Sequence, residues 1–94
     1  MDKHQLNFSD YYLPNKDYRV YNLINEMRME GYGIYISLIN ELLGSDNRKF
    51  PFSFLPTIAT LFYTTVLKVE KVVFEYELFD LDGDSFSLLD YEPL

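Results

Sequence analysis

The chain has 94 residues, a formal net charge of −7, one histidine and no cysteine. This length allows one small domain, and the lack of cysteine excludes disulfide scaffolds and cysteine-ligated metals. His4 has no second histidine to work with, and a nucleophilic centre needs a positioned base, so we expect none here. The sequence therefore predicts a non-enzymatic protein with no cofactor and no small-molecule substrate.

Charge and aromatic content indicate the kind of partner. Residues 66–94 hold eight acidic and two basic residues, whereas the first 65 residues are nearly neutral. Such acidity repels a nucleic-acid backbone unless cations cluster locally. Nine tyrosines and eight phenylalanines are more than a small core takes, so we expect some tyrosines to face a protein partner or a second copy.

The N-terminal residues contain no apolar signal core, which predicts a cytoplasmic protein. Residues 1–9 are polar and predict a loose tail. Residues 10–90 are expected to form a single domain, and they contain no internal repeat or low-complexity run.

The domain begins with an aromatic lead-in that contains Tyr11 and Tyr12 and ends at Pro14, because the residue before a proline avoids the helical region. Apolar residues then recur at helical spacing and predict a first helix over residues 17–29. These residues are Val20, Leu23, Ile24 and Met27.

A glycine joint is predicted between the first helix and a second helix over residues 32–43. Gly31 and Gly33 stand where a chain turns sharply with positive φ, or where two backbones approach closely. Gly44 is placed to end the second helix. The joint comprises Gly31, Tyr32, Gly33 and Tyr35, and the stripe of the second helix comprises Tyr35, Leu38, Ile39, Leu42 and Leu43.

Residues 50–67 carry no charge and approach the length of a membrane span. Two prolines and several serines and threonines argue against a span, so we expect no membrane segment. We interpret the stretch as a buried third helix, with Ser53 as its cap and Pro56 in its first turn, preceded by a short strand over residues 48–52. The stripe of this helix is Leu55, Ile58, Ala59 and Phe62.

Residues 68–77 fit two structures. Helical spacing predicts a fourth helix, capped by Thr64 or Thr65. The alternation of residues 74–78 and their β-branched neighbours also fits a half-exposed strand. We favour the helix, whose stripe would be Val69, Val72, Val73 and Tyr76.

The chain closes with a predicted β-hairpin centred on Asp82 and Gly83, a pair typical of a type I′ turn. This turn would place Phe79 opposite Phe86. The predicted fold is mainly α with a small β-hairpin, in the order α-α-β-α-α-β-β. Without its first helix this order is that of a winged helix, in which the fourth helix would be offered to DNA.

Several segments resemble a known family. Asp17-x-Arg19-Val20, Glu30-Gly-Tyr-Gly-Ile-Tyr35 and Leu38-Ile39-x-x-Leu42 are similar to the N-terminal domain of unknown function in DnaD-like, phage- or prophage-associated replication proteins. The resemblance covers residues 8–89 and implies a winged-helix fold and a place in DNA replication. The family pattern implies a glycine at Arg28 and an aromatic residue at Ile36.

Two classes of partner follow. Nucleic-acid contact would depend on Arg48 and Lys49 before the third helix and on Lys68 and Lys71 in the fourth. Protein–protein contact or homodimerisation fits the acidity and the surplus tyrosines better, and the interface candidates are Tyr11, Tyr12 and Tyr21. We favour the protein-interaction module and keep direct DNA binding as the alternative.

Two acidic patterns are expected to be solvated surface. Asp80, Asp82, Gly83 and Asp84 resemble a calcium loop, but the spacing places the glycine at the fourth position instead of the sixth. The other acids offer no pair held over a cleft for general acid–base chemistry.

Overall fold

The structure is a computed structural model and describes residues 18–89. Its first element, helix α1, spans Tyr18–Gly44. At Arg28 the backbone has φ 61° and ψ −152°, so α1 consists of two helical halves joined by one non-helical residue. Val20 and Leu23 before the break and Leu38 after it are buried at their predicted positions. The prediction of two consecutive helices is therefore confirmed.

The joint between the halves lies at Arg28, and the predicted turn at the two glycines is wrong. Gly31 and Gly33 are helical and neither has a positive φ, because one residue, Arg28, already redirects the chain. A Cβ atom added at Gly31 would overlap the Cβ of Met27 and lie 3.1 Å from Cδ1 of Leu23. The close approach expected of the joint is thus confirmed at Gly31.

After α1 the elements follow in the predicted order. They are β1 at Lys49–Pro51, a 3-10 turn at Phe52–Phe54, α2 at Leu55–Leu61, α3 at Val66–Phe74, β2 at Phe79–Asp82 and β3 at Ser85–Leu88. Within residues 18–89 no helix combines the length and the apolar character needed to cross a membrane.

Helix α2 begins without a side-chain cap. Pro56 lies in its first turn as predicted, where a missing N–H is tolerated. The predicted cap at Ser53 is wrong: Phe54 occupies the N-cap position and makes no side-chain cap hydrogen bond. Ser53 is instead the middle residue of the 3-10 turn.

Helix α3 confirms the helical interpretation of the fourth segment. Thr65 is its N-cap, and the side chain accepts a hydrogen bond from the backbone N–H of Lys68 at 3.2 Å. The predicted stripe of Val69, Val72 and Val73 is buried. The helix runs earlier than the predicted 68–77, because the cap starts it at residue 66 and a positive φ of 57° at Glu77 follows its end.

The three strands form one antiparallel sheet in the order β1-β3-β2. Phe50 of β1 pairs with Phe86 of β3, so the strand before α2 joins the hairpin. The sequence predicted this strand but gave no indication of its partner, since pairing across 36 residues depends on the packing of the helices between them.

The hairpin turn lies one residue later than predicted. Asp82 pairs with Ser85, so the central residues are Gly83 and Asp84. Gly83 has φ 63°, and Asp84 does not have a positive φ. A glycine at the first central position is typical of a type II′ turn, whereas the predicted type I′ turn needs positive φ at both positions.

This later turn shifts the strand pairing by two residues. Phe79 pairs with Leu88 and Leu81 with Phe86, so the predicted pairing of Phe79 with Phe86 is wrong. A shift by two residues leaves the same side chains on the same face of the hairpin, because side chains alternate along a strand. The rings of Phe79 and Phe86 still meet edge to face, with centroids 5.8 Å apart.

One core joins α1, α2, α3 and the inner face of the sheet, so residues 18–89 form a single, mainly helical domain. Its buried apolar residues are Val20, Leu23, Ile34, Tyr35, Leu38, Ile39, Leu42, Leu55, Ile58, Ala59, Val69, Val72, Val73, Tyr76, Leu78, Phe79 and Phe86.

Candidate functional site

The lysines of α3 lie against acidic side chains of α1. Lys68 Nζ is 3.0 Å from both carboxylate oxygens of Glu30. Lys71 Nζ is 3.5 Å from Glu26 and 3.3 Å from Glu75. These five residues are called the α1–α3 ion-pair cluster. Two of the four nucleic-acid candidates are therefore brought together but are engaged within the protein.

Tyr76 closes this cluster on its buried side. Its hydroxyl donates a hydrogen bond to Oε1 of Glu26 at 2.5 Å, and the residue is 7% exposed. This bond, and then Lys71, lower the pKa of Glu26. Glu75 raises the pKa of Lys71, and burial followed by Glu26 raises the pKa of Tyr76. The cluster thus favours an ionised Glu26 and Lys71 and a neutral tyrosine at pH 7.

The other two nucleic-acid candidates lie apart from α3. Lys49 is on β1, with Nζ 3.8 Å from a carboxylate oxygen of Asp82 near the hairpin turn. Arg48 is exposed in the loop before β1, has φ 57°, and pairs with no acid within residues 18–89. Neither residue belongs to the α1–α3 ion-pair cluster.

The solvent side of α3 is apolar and acidic. Leu67 is 77% exposed and Phe74 is 41% exposed. With Glu70 they follow the spacing i, i+3, i+7, which places all three on one face of the helix. Glu70 pairs with no cation within the described residues. We name Leu67, Glu70 and Phe74 the α3 strip.

Aromatic and apolar residues extend the surface around this strip. The ring of Phe74 meets that of Phe52 edge to face, with centroids 5.0 Å apart. Leu61, the last residue of α2, is 56% exposed, and Tyr63, in the connection between α2 and α3, is 96% exposed. A tight turn holds this connection, with the Thr64 N–H donating to the carbonyl of Ala59 at 2.9 Å.

The residues of the glycine motif serve the core. Tyr35 is buried, and its ring meets Phe79 edge to face with centroids 5.8 Å apart. Tyr32 is half-buried, and burial raises its pKa. Gly33 is exposed, with no atom within 4 Å of an added Cβ.

Of the tyrosines predicted to form an interface, Tyr21 is 48% exposed on α1, and Tyr18 one turn earlier is 72% exposed. Tyr11 and Tyr12 lie outside the described residues. The described part of this surface is therefore available for contact.

A cleft lies between the C-terminal end of α1 and the segment that contains β1 and the 3-10 turn. Its volume is about 360 Å³. The rings of Phe50 and Phe54, with centroids 5.0 Å apart, form one part of its lining. The whole lining is Asn40, Glu41, Gly44, Ser45, Phe50 and Phe54.

Within residues 18–89 no group of three histidine or acidic residues is placed to hold a metal ion. Asp80, Asp82 and Asp84 are exposed in and around the hairpin turn. The arrangement combines ion pairs within the protein with exposed apolar side chains.

Two features of this surface were missed in the sequence. Glu26 and Glu30 have the helical i, i+4 spacing, but only the packing of α1 against α3 shows that they meet the lysines. Leu67 and Phe74 lie off the helix face formed by the valine stripe of α3. Their positions in the sequence could therefore have predicted that they are exposed.

Comparison of the chain with protein-family models, with curated proteins and with solved structures gave no significant match.

Proposed function

We propose that the chain is a non-enzymatic interaction module with a winged-helix-like fold that acts mainly through protein–protein contacts or self-association. The order of its elements supports the winged-helix assignment, because a kinked helix, a strand, two helices and a hairpin follow one another. In this assignment α3 is the helix that a DNA-binding relative would present to the groove.

The α3 strip carries the proposal. A helix that enters a DNA groove contacts phosphates and base edges through basic and polar side chains. Here α3 exposes two large apolar residues around an unpaired acid, Glu70, while Lys68 and Lys71 pair with acids. An exposed apolar patch with a polar rim is typical of a protein-binding surface.

Direct DNA binding is the alternative. It would have to release Lys68 and Lys71 from the α1–α3 ion-pair cluster or depend on Arg48 and Lys49. With a net charge of −7, long-range electrostatics oppose the approach of DNA.

The resemblance of residues 30–35 to DnaD-like replication proteins supports a place in phage-type DNA replication. A module that holds proteins together in a replication complex, while other components contact the DNA, is compatible with this place and with the acidic surface.

Two measurements on purified protein and lysate test the proposal. Tagged wild-type protein is recovered from native lysate with and without nuclease, and duplex DNA is titrated against the pure protein by fluorescence anisotropy. We expect a specific partner that survives nuclease treatment, or self-association by sedimentation, and no DNA binding at physiological salt. Recovery that depends wholly on nucleic acid would overturn the proposal.

A matched pair of variants locates the contact. Leu67→Ser removes an exposed apolar side chain from the α3 strip, and Met29→Ser removes one from α1, where Met29 is 63% exposed. We expect the first variant to lose the nuclease-resistant partner and the second to keep it. Equal retention by both variants would remove α3 from the interface.

A further inference from the structure

We infer that the cleft at the end of α1 is a binding site for a cationic side chain, with arginine preferred, presented by a protein partner. Its lining contains one carboxylate, Glu41, one amide, Asn40, and two phenylalanine rings. An aromatic wall with an acid beside it is a combination that attracts a cation and can also stack a planar guanidinium group.

The position at a helix end adds to this attraction. The C-terminal end of a helix carries a partial negative charge from its carbonyl groups, and cations are favoured there. The last turn of α1 contains no basic residue, so the helix supplies no cation of its own. Gly44 and Ser45, which line the cleft, are the residues at this end.

Glu41 is exposed and pairs with no cation within residues 18–89. Arg48, in the same connection between α1 and β1, also pairs with no acid there, so it does not neutralise Glu41. The carboxylate is therefore open to a cation from outside the described domain.

The rings of Phe50 and Phe54 are half-buried and fixed by the core. The ring of Phe50 packs at a tilt of 60° against that of Phe86, with centroids 6.1 Å apart, and Phe86 is fully buried. A fixed ring loses little freedom on binding, which favours recognition by a preorganised site. The volume of about 360 Å³ leaves room for one long side chain.

This site refines the proposed function, since it names a cationic group on the partner, but it does not include the α3 strip. The two can therefore fail separately. One possible outcome is a partner that binds α3 while the cleft binds no cation. The other is a cleft that binds a cation while α3 binds no partner. The experiments below distinguish these two outcomes.

The test is an NMR titration of the isotope-labelled full chain with N-acetyl-arginine methylamide. The control ligand is N-acetyl-citrulline methylamide, which has nearly the same shape and no charge. We expect saturable amide shifts at Gly44, Ser45 and the two lining phenylalanines with the arginine compound only. Equal shifts with both compounds, or shifts that never saturate, would overturn the inference.

Two variants separate a built site from general acidity. Glu41→Gln should weaken binding of the arginine compound about 3-fold or more, as loss of an exposed ion pair does. Glu77→Gln, an exposed acid that does not line the cleft, should leave it unchanged. Equal losses in both variants would show a response to net charge and overturn the inference, as would an unchanged affinity in Glu41→Gln.

A third variant tests the independence of the two surfaces. Leu67→Ser should bind the arginine compound like the wild type.

A lysine analogue that binds as tightly as the arginine compound would overturn the preference for a planar guanidinium group.

Discussion

At the scale of single residues, Arg28 and Gly31 together shape the joint inside α1. Arg28 has φ 61° and ψ −152°, a region that glycine occupies at much lower cost than other residues. Gly31 then lets the second half of the helix pack directly on Met27.

Replacing Arg28 by glycine should stabilise the domain. Relief of backbone strain should raise the free energy of unfolding by about 1–3 kcal/mol. The extra conformational freedom of glycine in the unfolded chain should lower it by up to about 1 kcal/mol. We expect a higher midpoint in urea unfolding for Arg28→Gly. Arg28→Ala is the control, because it removes the same side chain and keeps the strain; an equal gain there would assign the effect to the side chain.

Alanine at the two glycines of the motif should have opposite effects. Gly31→Ala places a Cβ atom against Met27 and Leu23 and should cost about 1–3 kcal/mol of unfolding free energy, as overpacking does. Gly33→Ala meets no atom within 4 Å in a helical, exposed position and should gain about 0.5–1 kcal/mol. Thermal unfolding of both variants checks this, and the same sign for both would contradict it.

At the scale of elements, polar contacts tie α3 and the residues that follow it to both halves of α1. Arg19 in the first half donates to the carbonyl of Glu77 at 2.8 Å, while Glu26 and Glu30 hold Tyr76, Lys71 and Lys68 on either side of the break. These contacts orient α3 and leave its strip to solvent.

Stability should depend on pH through Glu26. Tyr76 and Lys71 lower its pKa in the folded state from the ordinary value of 4.5, so its contribution is present above that value and is lost as the pH falls through the lowered folded pKa. We expect Glu26→Gln to melt below the wild type at pH 7 and the difference to vanish at acidic pH. Glu70→Gln, which removes an unpaired acid, should show no such convergence; a constant difference for Glu26→Gln would contradict the assignment.

At the scale of the whole molecule, charge and exposed aromatic surface act against each other. Each chain carries −7, while Tyr18, Tyr21, Tyr63 and Leu67 are exposed. Contact between two copies must bury apolar surface while keeping the acidic residues apart. The surface around Tyr21 is the predicted dimer interface. In the sequence it is distant from the acidic hairpin turn.

Self-association through this surface should strengthen with salt. Added ions screen the repulsion between two acidic copies, whereas DNA binding weakens as salt rises. We expect the dimer fraction in sedimentation at micromolar concentration to increase from low to moderate salt and to fall in Tyr21→Ser. If the wild type is a monomer at all salt concentrations, self-association is contradicted, and only contact with a different protein remains as the proposed function.

The sequence by itself predicted the order of the elements and, with a strand kept as the alternative for residues 68–77, their types. The valine stripe and the Thr65 cap specify α3, and the alternation around Gly83 specifies a hairpin, because these signals depend on neighbours within a few residues. The sequence also singled out Tyr21 and the candidate lysines as surface residues that could contact a partner.

The tertiary structure decided where the chain turns and which charges are free. The break at Arg28, the type II′ turn and the pairing of β1 with β3 each depend on backbone angles or contacts that no local pattern specifies. Lys68 and Lys71 have the spacing of a phosphate-binding pair, yet the packing of α1 on α3 places Glu26 and Glu30 against them. This packing pairs opposite charges that are distant in the chain, and it leaves the α3 strip, with its two apolar residues and one acid, exposed to solvent.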